Sequence, residues 1–213
     1  MTIRRLGILG DIHAEDATLA VALRHLAGER LDAIVAVGDV VDGPGSVDTT
    51  CDLLRDHRVI VVRGNHERWF LNGEMRQLPH ATRADSVTQA TLAFLRKLPS
   101  TRRLRGPSGD VLVCHGIDED DMCTVKPDDF GYAIDVNEPL QRLIRAGEPL
   151  LVVCGHSHHR MVRSFGTTTI VNAGTFLRGH RPCFGTIDLD ARAVTFFERR
   201  DGDEIAVSDV LSF

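Results

Sequence analysis

Five of the ten histidines in this 213-residue sequence stand in a set of short polar clusters, each of which directly follows a run of apolar residues. The clusters combine imidazole nitrogens with carboxylate and amide oxygens, and they contain no thiol. Such a donor set suits Mn, Fe, Zn or Co better than Ca or Mg, which prefer shells made of oxygen alone. The pattern therefore indicates a transition-metal site. The clusters are Gly10-Asp11-Ile12-His13, Gly38-Asp39-Val40-Val41-Asp42, Arg63-Gly64-Asn65-His66-Glu67, His115-Gly116 and Gly155-His156-Ser157-His158.

The candidate metal ligands in these clusters are more numerous than one ion with an open coordination position can use. Two ions that share one carboxylate would use them all, and Asp39 is the natural bridge. Asp11 and His13 are two residues apart, so on an extended chain end they can share one ion; His156 and His158 have the same spacing and can either share one ion or bind one each. Two ions roughly 3.5–4 Å apart can activate a water molecule and bind both oxygens of an in-line phosphoryl displacement. The candidate ligands are Asp11, His13, Asp39, Asn65, His115, His156 and His158.

Apolar periodicity predicts the elements that must bring these clusters together. Short apolar runs over 3–9, 33–37 and 59–62 alternate with amphipathic segments over 17–29 and 47–56, which is typical of βαβ units with a parallel sheet. In such sheets ligands bind beyond the carboxyl ends of the strands, so the clusters should meet at one edge. We interpret all 213 residues as a single domain, whose last strands are expected to be antiparallel. Further strands are predicted over 110–114, 150–154, 161–165, 168–171, 184–189 and 193–198, with helices over 92–98 and 137–145.

The order of the clusters resembles the pattern of the calcineurin-like metallophosphoesterase superfamily, which is D-x-H, G-D-x-x-D, G-N-H-[DE], H and G-H-x-H. The matching residues run from 11 to 158, about two-thirds of the chain. The first half is especially similar to phosphoprotein phosphatases and diadenosine-polyphosphate hydrolases. The second half, with Asn172-Ala173-Gly174-Thr175, is more like small bacterial phosphodiesterases. The resemblance implies an α/β fold, a four-layer α/β/β/α sandwich with two mixed sheets and the site at one edge.

Carried over position by position, the resemblance implies a role for each cluster residue. His66 would stabilise the transition state or protonate the leaving oxygen without binding metal, and Asp42 would orient its imidazole. Arg63 matches an arginine that clamps phosphate in the phosphoprotein phosphatases. One ion would be held by Asp11, His13, Asp39 and His158. The other ion would be held by Asp39, Asn65, His115 and His156.

The resemblance also implies a hydrolase with two divalent transition-metal ions, with Mn²⁺ preferred over Fe, Zn, Co or Ni. Such an enzyme would cleave phosphate monoesters or small activated phosphodiesters through a metal-bridging hydroxide. A dinucleoside polyphosphate hydrolase and a protein serine/threonine phosphatase are alternatives, although Gly43-Pro44 stands where the phosphatases have Arg-Gly. A non-catalytic scaffold of the same fold, like the retromer subunit that resembles these enzymes, is disfavoured because this chain keeps every ligand.

Composition and charge limit the class of protein. Twenty-five Lys and Arg against 30 Asp and Glu leave a net charge of −5, which argues against a protein that binds long nucleic acid. No apolar run is long enough to span a membrane, and the five cysteines include no C-x-x-C pair. We therefore expect a cytoplasmic protein that acts on a small phosphorylated substrate, away from membranes.

Other notable residues are expected to be structural. The acidic segment 118–121, with Asp128 and Asp129, is interpreted as a solvated surface loop, ahead of a role in repelling long polyanions or in selecting a substrate with a cationic part. His180 has no ligand-like neighbour in the sequence, and Trp69 is expected to begin a helix and to join the core. Arg178 and Arg181 fit a phosphate contact and a surface loop equally well.

Overall fold

In the computed structural model, which describes residues 2–148, 150–200 and 202–213, the apolar runs form strands and the amphipathic segments form helices. No helix in this described part of the chain has the length and hydropathy needed to cross a membrane. The strands are β1 (Arg5–Leu9), β2 (Ala33–Ala36), β3 (Ile60–Val61), β4 (Thr101–Arg105), β5 (Asp110–Cys114), β6 (Leu150–Cys154), β7 (Met161–Phe165), β8 (Thr168–Asn172), β9 (Phe184–Asp188), β10 (Ala193–Arg199) and β11 (Ile205–Ser212). The helices are α1 (Asp16–Ala27), α2 (Val47–Asp56), α3 (Asn65–Asn72), α4 (Gln89–Arg96), α5 (Tyr132–Asp135) and α6 (Glu138–Ala146), with a 3-10 turn at Ala84–Ser86.

The strands of the described residues pair into two sheets. The strand order of the first sheet is β11-β10-β9-β1-β2-β3, and that of the second is β4-β5-β6-β8-β7. Parallel pairing joins β1, β2 and β3 in the first sheet and β5, β6 and β8 in the second. The remaining pairs are antiparallel. Both sheets are therefore mixed, and the fold that the resemblance implied is confirmed.

Alternate residues of the central strands face different cores, which explains why these strands have continuous apolar sequences. In β1, Ile8 lies in the core between the sheets, whereas Leu9 packs under the helices that cover the first sheet. In β5, Val113 lies between the sheets, whereas Leu112 packs with Leu140 of α6. The layers are consequently helices, sheet, sheet and helices.

The predicted antiparallel pairing of the C-terminal strands is confirmed for β7 with β8 and for β9 with β10, but these strands are divided between the two sheets. β7 and β8 form an antiparallel hairpin, but β8 lies parallel to β6, and the chain then crosses to the first sheet, where β9 pairs with β1. Two strands, β4 and β11, were not predicted. Both lie at sheet edges and are partly exposed, so neither has the apolar run that marks a central strand.

Candidate metal centre and active site

The clusters meet at one edge of the two sheets, beyond the carboxyl ends of β1, β2, β3, β5 and β6. The backbone turns sharply there, with φ of 47° at His13, 47° at Asp39, 62° at Asp42, 65° at His156 and 60° at His158. Left-handed φ is uncommon for residues other than glycine, and it concentrates at functional sites. These turns bring ligand atoms from both sheets together.

Glycine is required beside two of the carboxylates. A Cβ on Gly155 would lie 2.6 Å from Oδ1 of Asp11, and a Cβ on Gly64 would overlap the carboxylate of Asp39. Neither carboxylate could keep its position next to a larger residue. The glycines of these clusters therefore allow the backbone to approach the ligand side chains closely.

The first predicted ligand set comes together around His13 and His158. Ligand atoms of His13, Asp39 and His158 lie within 4.8 Å of one another. Nδ1 of His13 lies 3.0 Å from the carbonyl oxygen of Asp42 and so carries the hydrogen, which leaves the lone pair of Nε2 facing Nε2 of His158 at 3.2 Å. The Oδ2 atom of Asp11 lies 3.7 Å from Nε2 of His158. Asp11 therefore lies next to this group, as the resemblance implied.

The surroundings of Asp11 fit a bound cation. Its Oδ2 atom is buried and has no hydrogen-bond partner among the described residues. Burial, although opposed by His115, raises the pKa of Asp11 to about 7. A cation would supply the partner that this carboxylate lacks and would offset the cost of burying its charge.

The second predicted set assembles around His115. Nδ1 of His115 lies 2.8 Å from the carbonyl oxygen of Val37, and its Nε2 lies 2.7 Å from Oδ1 of Asn65 and 3.3 Å from Oδ2 of Asp39. Nδ1 of His156 lies 3.0 Å from the same oxygen of Asn65. Lone pairs face one another here, so a proton or a metal ion is needed between the atoms that carry them. These atoms are Nε2 of His115, Nδ1 of His156, Oδ1 of Asn65 and Oδ2 of Asp39. Although burial opposes it, Asp39 raises the pKa of His115 to about 10, so a proton competes with metal for this position.

Asp39 belongs to both ligand sets. Its Oδ2 atom lies 3.8 Å from Nε2 of His13 and 3.3 Å from Nε2 of His115. Although burial opposes ionisation, the surrounding histidines, His115 first, hold the pKa of Asp39 well below its ordinary value. A charged carboxylate between two sets of imidazoles suits a ligand that bridges two transition-metal ions.

His66 lies beside the ligand sets without joining either of them. The prediction that a helix begins at Trp69 was wrong: α3 begins at Asn65, with Gly64 as its N-cap. The carboxylate of Glu67 accepts the backbone N–H of Gly64 at 2.8 Å and so closes the first turn. Successive side chains on a helix diverge by about 100°, so Asn65 can face the second ligand set while His66 faces the first, with its ring centroid 4.8 Å from that of His13.

Asp42 holds His66 and is itself held by two residues that the sequence analysis missed. Nδ1 of His66 lies 2.8 Å from Oδ2 of Asp42. Arg76 donates from both terminal nitrogens to this carboxylate, at 2.9 Å each, and the backbone N–H of Thr82 donates at 2.7 Å. Burial opposes ionisation, but these partners hold the pKa of Asp42 well below its usual range. Against the effect of burial, Asp42 and Asp39 raise the pKa of His66.

The carboxylate of Glu67 organises the loop that carries Asp39. Glu67 is fully buried and accepts backbone hydrogen bonds from Asp39, Val40, Val41 and Gly64 at 2.7–3.1 Å. It was part of a sequence cluster, but no role was assigned to it. Its contacts connect the N-terminus of α3 to the loop after β2. They therefore fix the distance from His66 to the two ligand sets.

We expect Glu67→Gln to lower the free energy of unfolding by about 2–5 kcal/mol, measured by urea denaturation in the presence of a chelator. The amide keeps one acceptor oxygen but turns an NH₂ group toward two buried backbone N–H groups, which lose their charged acceptor. The chelator removes the contribution of bound metal to stability. Glu204→Gln, at an exposed residue, is the control and should cost less than about 0.5 kcal/mol. An equally small effect of Glu67→Gln would show that the loop does not depend on this carboxylate.

Arg63 and the acidic segment 118–121 line a cavity of about 330 Å³ beside His115. The Nε atom of Arg63 is buried and has no hydrogen-bond partner within the described residues. The acidic segment lies at the surface as expected, with Glu119 and Asp120 exposed, but it also forms a wall of this cavity, and Asp121 accepts from Arg68 at 2.7 and 2.8 Å. We call this space the acidic cavity.

Two residues that were interpreted as structural lie beside the site. His180 was expected to lack a partner, but its ring centroid lies 4.8 Å from that of His158. Trp69 is only partly buried, and its ring centroid lies 4.8 Å from that of His66. In a helix that begins at Asn65, His66 and Trp69 are three residues apart and lie on one face. The correct helix start would therefore have predicted that Trp69 lies beside His66. No local signal marks His180.

Comparison with known proteins gives a consistent result. A family model described as the calcineurin-like phosphoesterase superfamily domain matches residues 5–192. The structure of a metallophosphoesterase from Sphaerobacter thermophilus is 23% identical, covers 91% of this chain and 86% of that chain, and has a TM-score of 0.65. A single mutant of Vps29 from Entamoeba histolytica is 18% identical, with 98% and 99% of the chains covered and a TM-score of 0.58. The hypothetical protein PH1004 from Pyrococcus horikoshii OT3 is 15% identical, with 93% and 88% covered and a TM-score of 0.72.

At these identities the solved structures show the fold alone. The family model is more specific, because it spans most of the chain and includes every cluster that meets at the sheet edge. On this evidence the chain belongs to the calcineurin-like phosphoesterase superfamily.

Proposed function

We propose that this protein hydrolyses phosphate monoesters or small activated phosphodiesters and that it uses two divalent transition-metal ions. The observation that carries the proposal is the pair of ligand sets that share Asp39, next to the hydrogen-bonded His66 and Asp42. Membership of the phosphoesterase superfamily supports the reaction class.

Two bound ions would polarise a phosphoryl oxygen and lower the pKa of a water molecule. A water oxygen that has lost a proton to solvent would bond to phosphorus in line with the leaving group, the P–O bond to that group would break, and the leaving oxygen would take a proton from Nε2 of His66. Asp42 accepts from Nδ1 of His66, so it orients the ring and stabilises its charged form. Arg63 lines the neighbouring cavity and would bind the non-bridging oxygens of the phosphoryl group.

Metal content provides the direct test of this proposal. We expect about two transition-metal equivalents per chain, with hydrolysis of para-nitrophenyl phosphate lost on chelation and restored best by Mn²⁺. The reason is the mixed set of nitrogen and oxygen donors, which suits a transition metal and excludes a Ca²⁺ site made of oxygen alone. Elemental analysis after desalting gives the stoichiometry, and circular dichroism of the chelated protein controls for unfolding. A single ion per chain, or full activity in excess chelator, would exclude the two-metal mechanism.

The alternatives are less well supported. Phosphoprotein phosphatases have Arg-Gly where this chain has Gly43-Pro44, and a Cβ on Gly43 would overlap the carbonyl oxygen of His13. A scaffold has no need of the complete ligand sets found here. Initial rates on para-nitrophenyl phosphate, its bis-ester, a dinucleoside tetraphosphate and a phosphopeptide separate these functions. Fastest turnover of the phosphopeptide would favour a protein phosphatase, and no turnover of any would favour a scaffold.

A further inference from the structure

A larger cavity, of about 600 Å³, opens beside the first ligand set at His158. We call it the histidine cavity, because His159 and His180 line it together with His158. Arg160 and Arg181 contribute to the same wall. The mechanism above uses none of these residues except His158, yet the volume is sufficient for a substantial part of a substrate.

The loop that carries Arg181 is anchored to the active-site edge. Arg178 donates from Nε and Nη2 to the buried carboxylate of Glu15, at 2.8 and 2.7 Å. The hydroxyl of Thr175 donates to the carbonyl oxygen of Asp11 at 2.8 Å. Arg178 is thus engaged in holding the loop. A wall held in this way is organised before a ligand arrives, which reduces the entropy cost of binding.

The carboxylates near the histidine cavity are already engaged. Arg160 forms ion pairs with Glu198 and, at 2.8 Å, with Asp209. The side chain of Arg181 is 82% exposed, and its contact with Glu198 is long, at 3.7 Å. The ring of His180 is also exposed and adds a nitrogen donor. Asp209 lines the cavity, but it is paired with Arg160, so Arg181 and His180 are the donors that the cavity leaves for an anion.

We propose that the substrate carries a second phosphate group, which binds in the histidine cavity against Arg181 and His180 while the scissile phosphate lies between the ligand sets. The acidic cavity sets the four carboxylates of 118–121 against two arginines, Arg63 and Arg68, so it disfavours a further anion beyond the scissile phosphate on the side of His115, and one orientation of the substrate is preferred. This inference rests on the proposed function and names its substrate class. Sugar bisphosphates and nucleoside diphosphates both present such a second group.

The test compares the native protein with Arg181→Ala, Arg181→Glu and Arg181→Lys, all supplied with Mn²⁺. The ratio of kcat/KM is measured for fructose 1,6-bisphosphate over fructose 6-phosphate, and for ADP over AMP, with para-nitrophenyl phosphate as a reference substrate. We expect a ratio of about ten in at least one pair, which identifies the source of the second phosphate. Arg181→Ala should lower this ratio about tenfold, equivalent to about 1.4 kcal/mol. Arg181→Lys should retain most of the preference, and Arg181→Glu should abolish it.

Arg24→Ala is the matched control, because Arg24 is an exposed arginine paired with Asp203 and lines neither cavity. It should keep the native ratio. If para-nitrophenyl phosphate is hydrolysed but neither pair shows a preference, or if Arg181→Glu keeps the preference, the inference is wrong and the proposed function stands. If the metal-loaded protein hydrolyses no phosphoester at all, both are wrong.

Discussion

Asp39→Asn is expected to reduce turnover by on the order of 10³-fold or more and to release both metal ions, the largest effect of any single ligand change. Asp39 is the one residue common to both ligand sets, and its carboxylate carries the charge that attracts a cation to each of them. An amide of the same shape keeps one oxygen but loses this charge. Its NH₂ group would also face imidazole nitrogens or the backbone of the α3 N-terminus, where the carboxylate accepts from His66 N–H at 3.0 Å.

Elemental analysis and the rate on para-nitrophenyl phosphate, measured on the same samples, check this expectation. His13→Gln is the matched comparison, because His13 belongs to the first set only. It should empty one position and leave the second ion in place. An Asp39→Asn variant that retains both ions and most of its turnover would show that Asp39 is not a bridging ligand.

The second large effect is expected for His66→Asn, which should slow the hydrolysis of alkyl phosphates by about 10²–10⁴-fold without loss of metal. His66 lies outside both ligand sets, and its Nδ1 is engaged by Asp42 at 2.8 Å, so Nε2 is the atom that can donate a proton. An alkoxide leaving group needs that proton. A para-nitrophenolate leaving group barely needs it, so its rate should fall much less.

The measurement is the ratio of the two rates in native protein and in His66→Asn, together with the metal content of each. Equal losses on both substrates would mean that His66 stabilises charge and does not donate a proton. Loss of one ion would make His66 a ligand and would overturn its assigned role. Glu204→Gln, which changes an exposed side chain, controls for nonspecific effects of substitution.

Much of the candidate site could be predicted because its residues follow buried strands closely in the sequence. Central strands such as β1 and β5 are apolar on both faces, so their positions and their parallel pairing are apparent from composition alone. Parallel strands direct their carboxyl ends to a common edge, and this places Asp11 near Asp39 in the first sheet and His115 near His156 in the second. Their residue types, imidazole and carboxylate, then determine the kind of metal that suits the region.

Only the tertiary structure decided which distant side chains complete this edge. Arg76 reaches Asp42 across 34 positions of sequence, and Arg181 lines a cavity beside His158, yet neither arginine belongs to a motif. The pairing of β9 with β1 could not be predicted from the sequence either, because it depends on where the chain crosses from one sheet to the other. Local periodicity records which face of a segment is buried, but the same face can pack against many partners. The choice among those partners depends on the whole set of long-range contacts, which no short stretch of sequence contains.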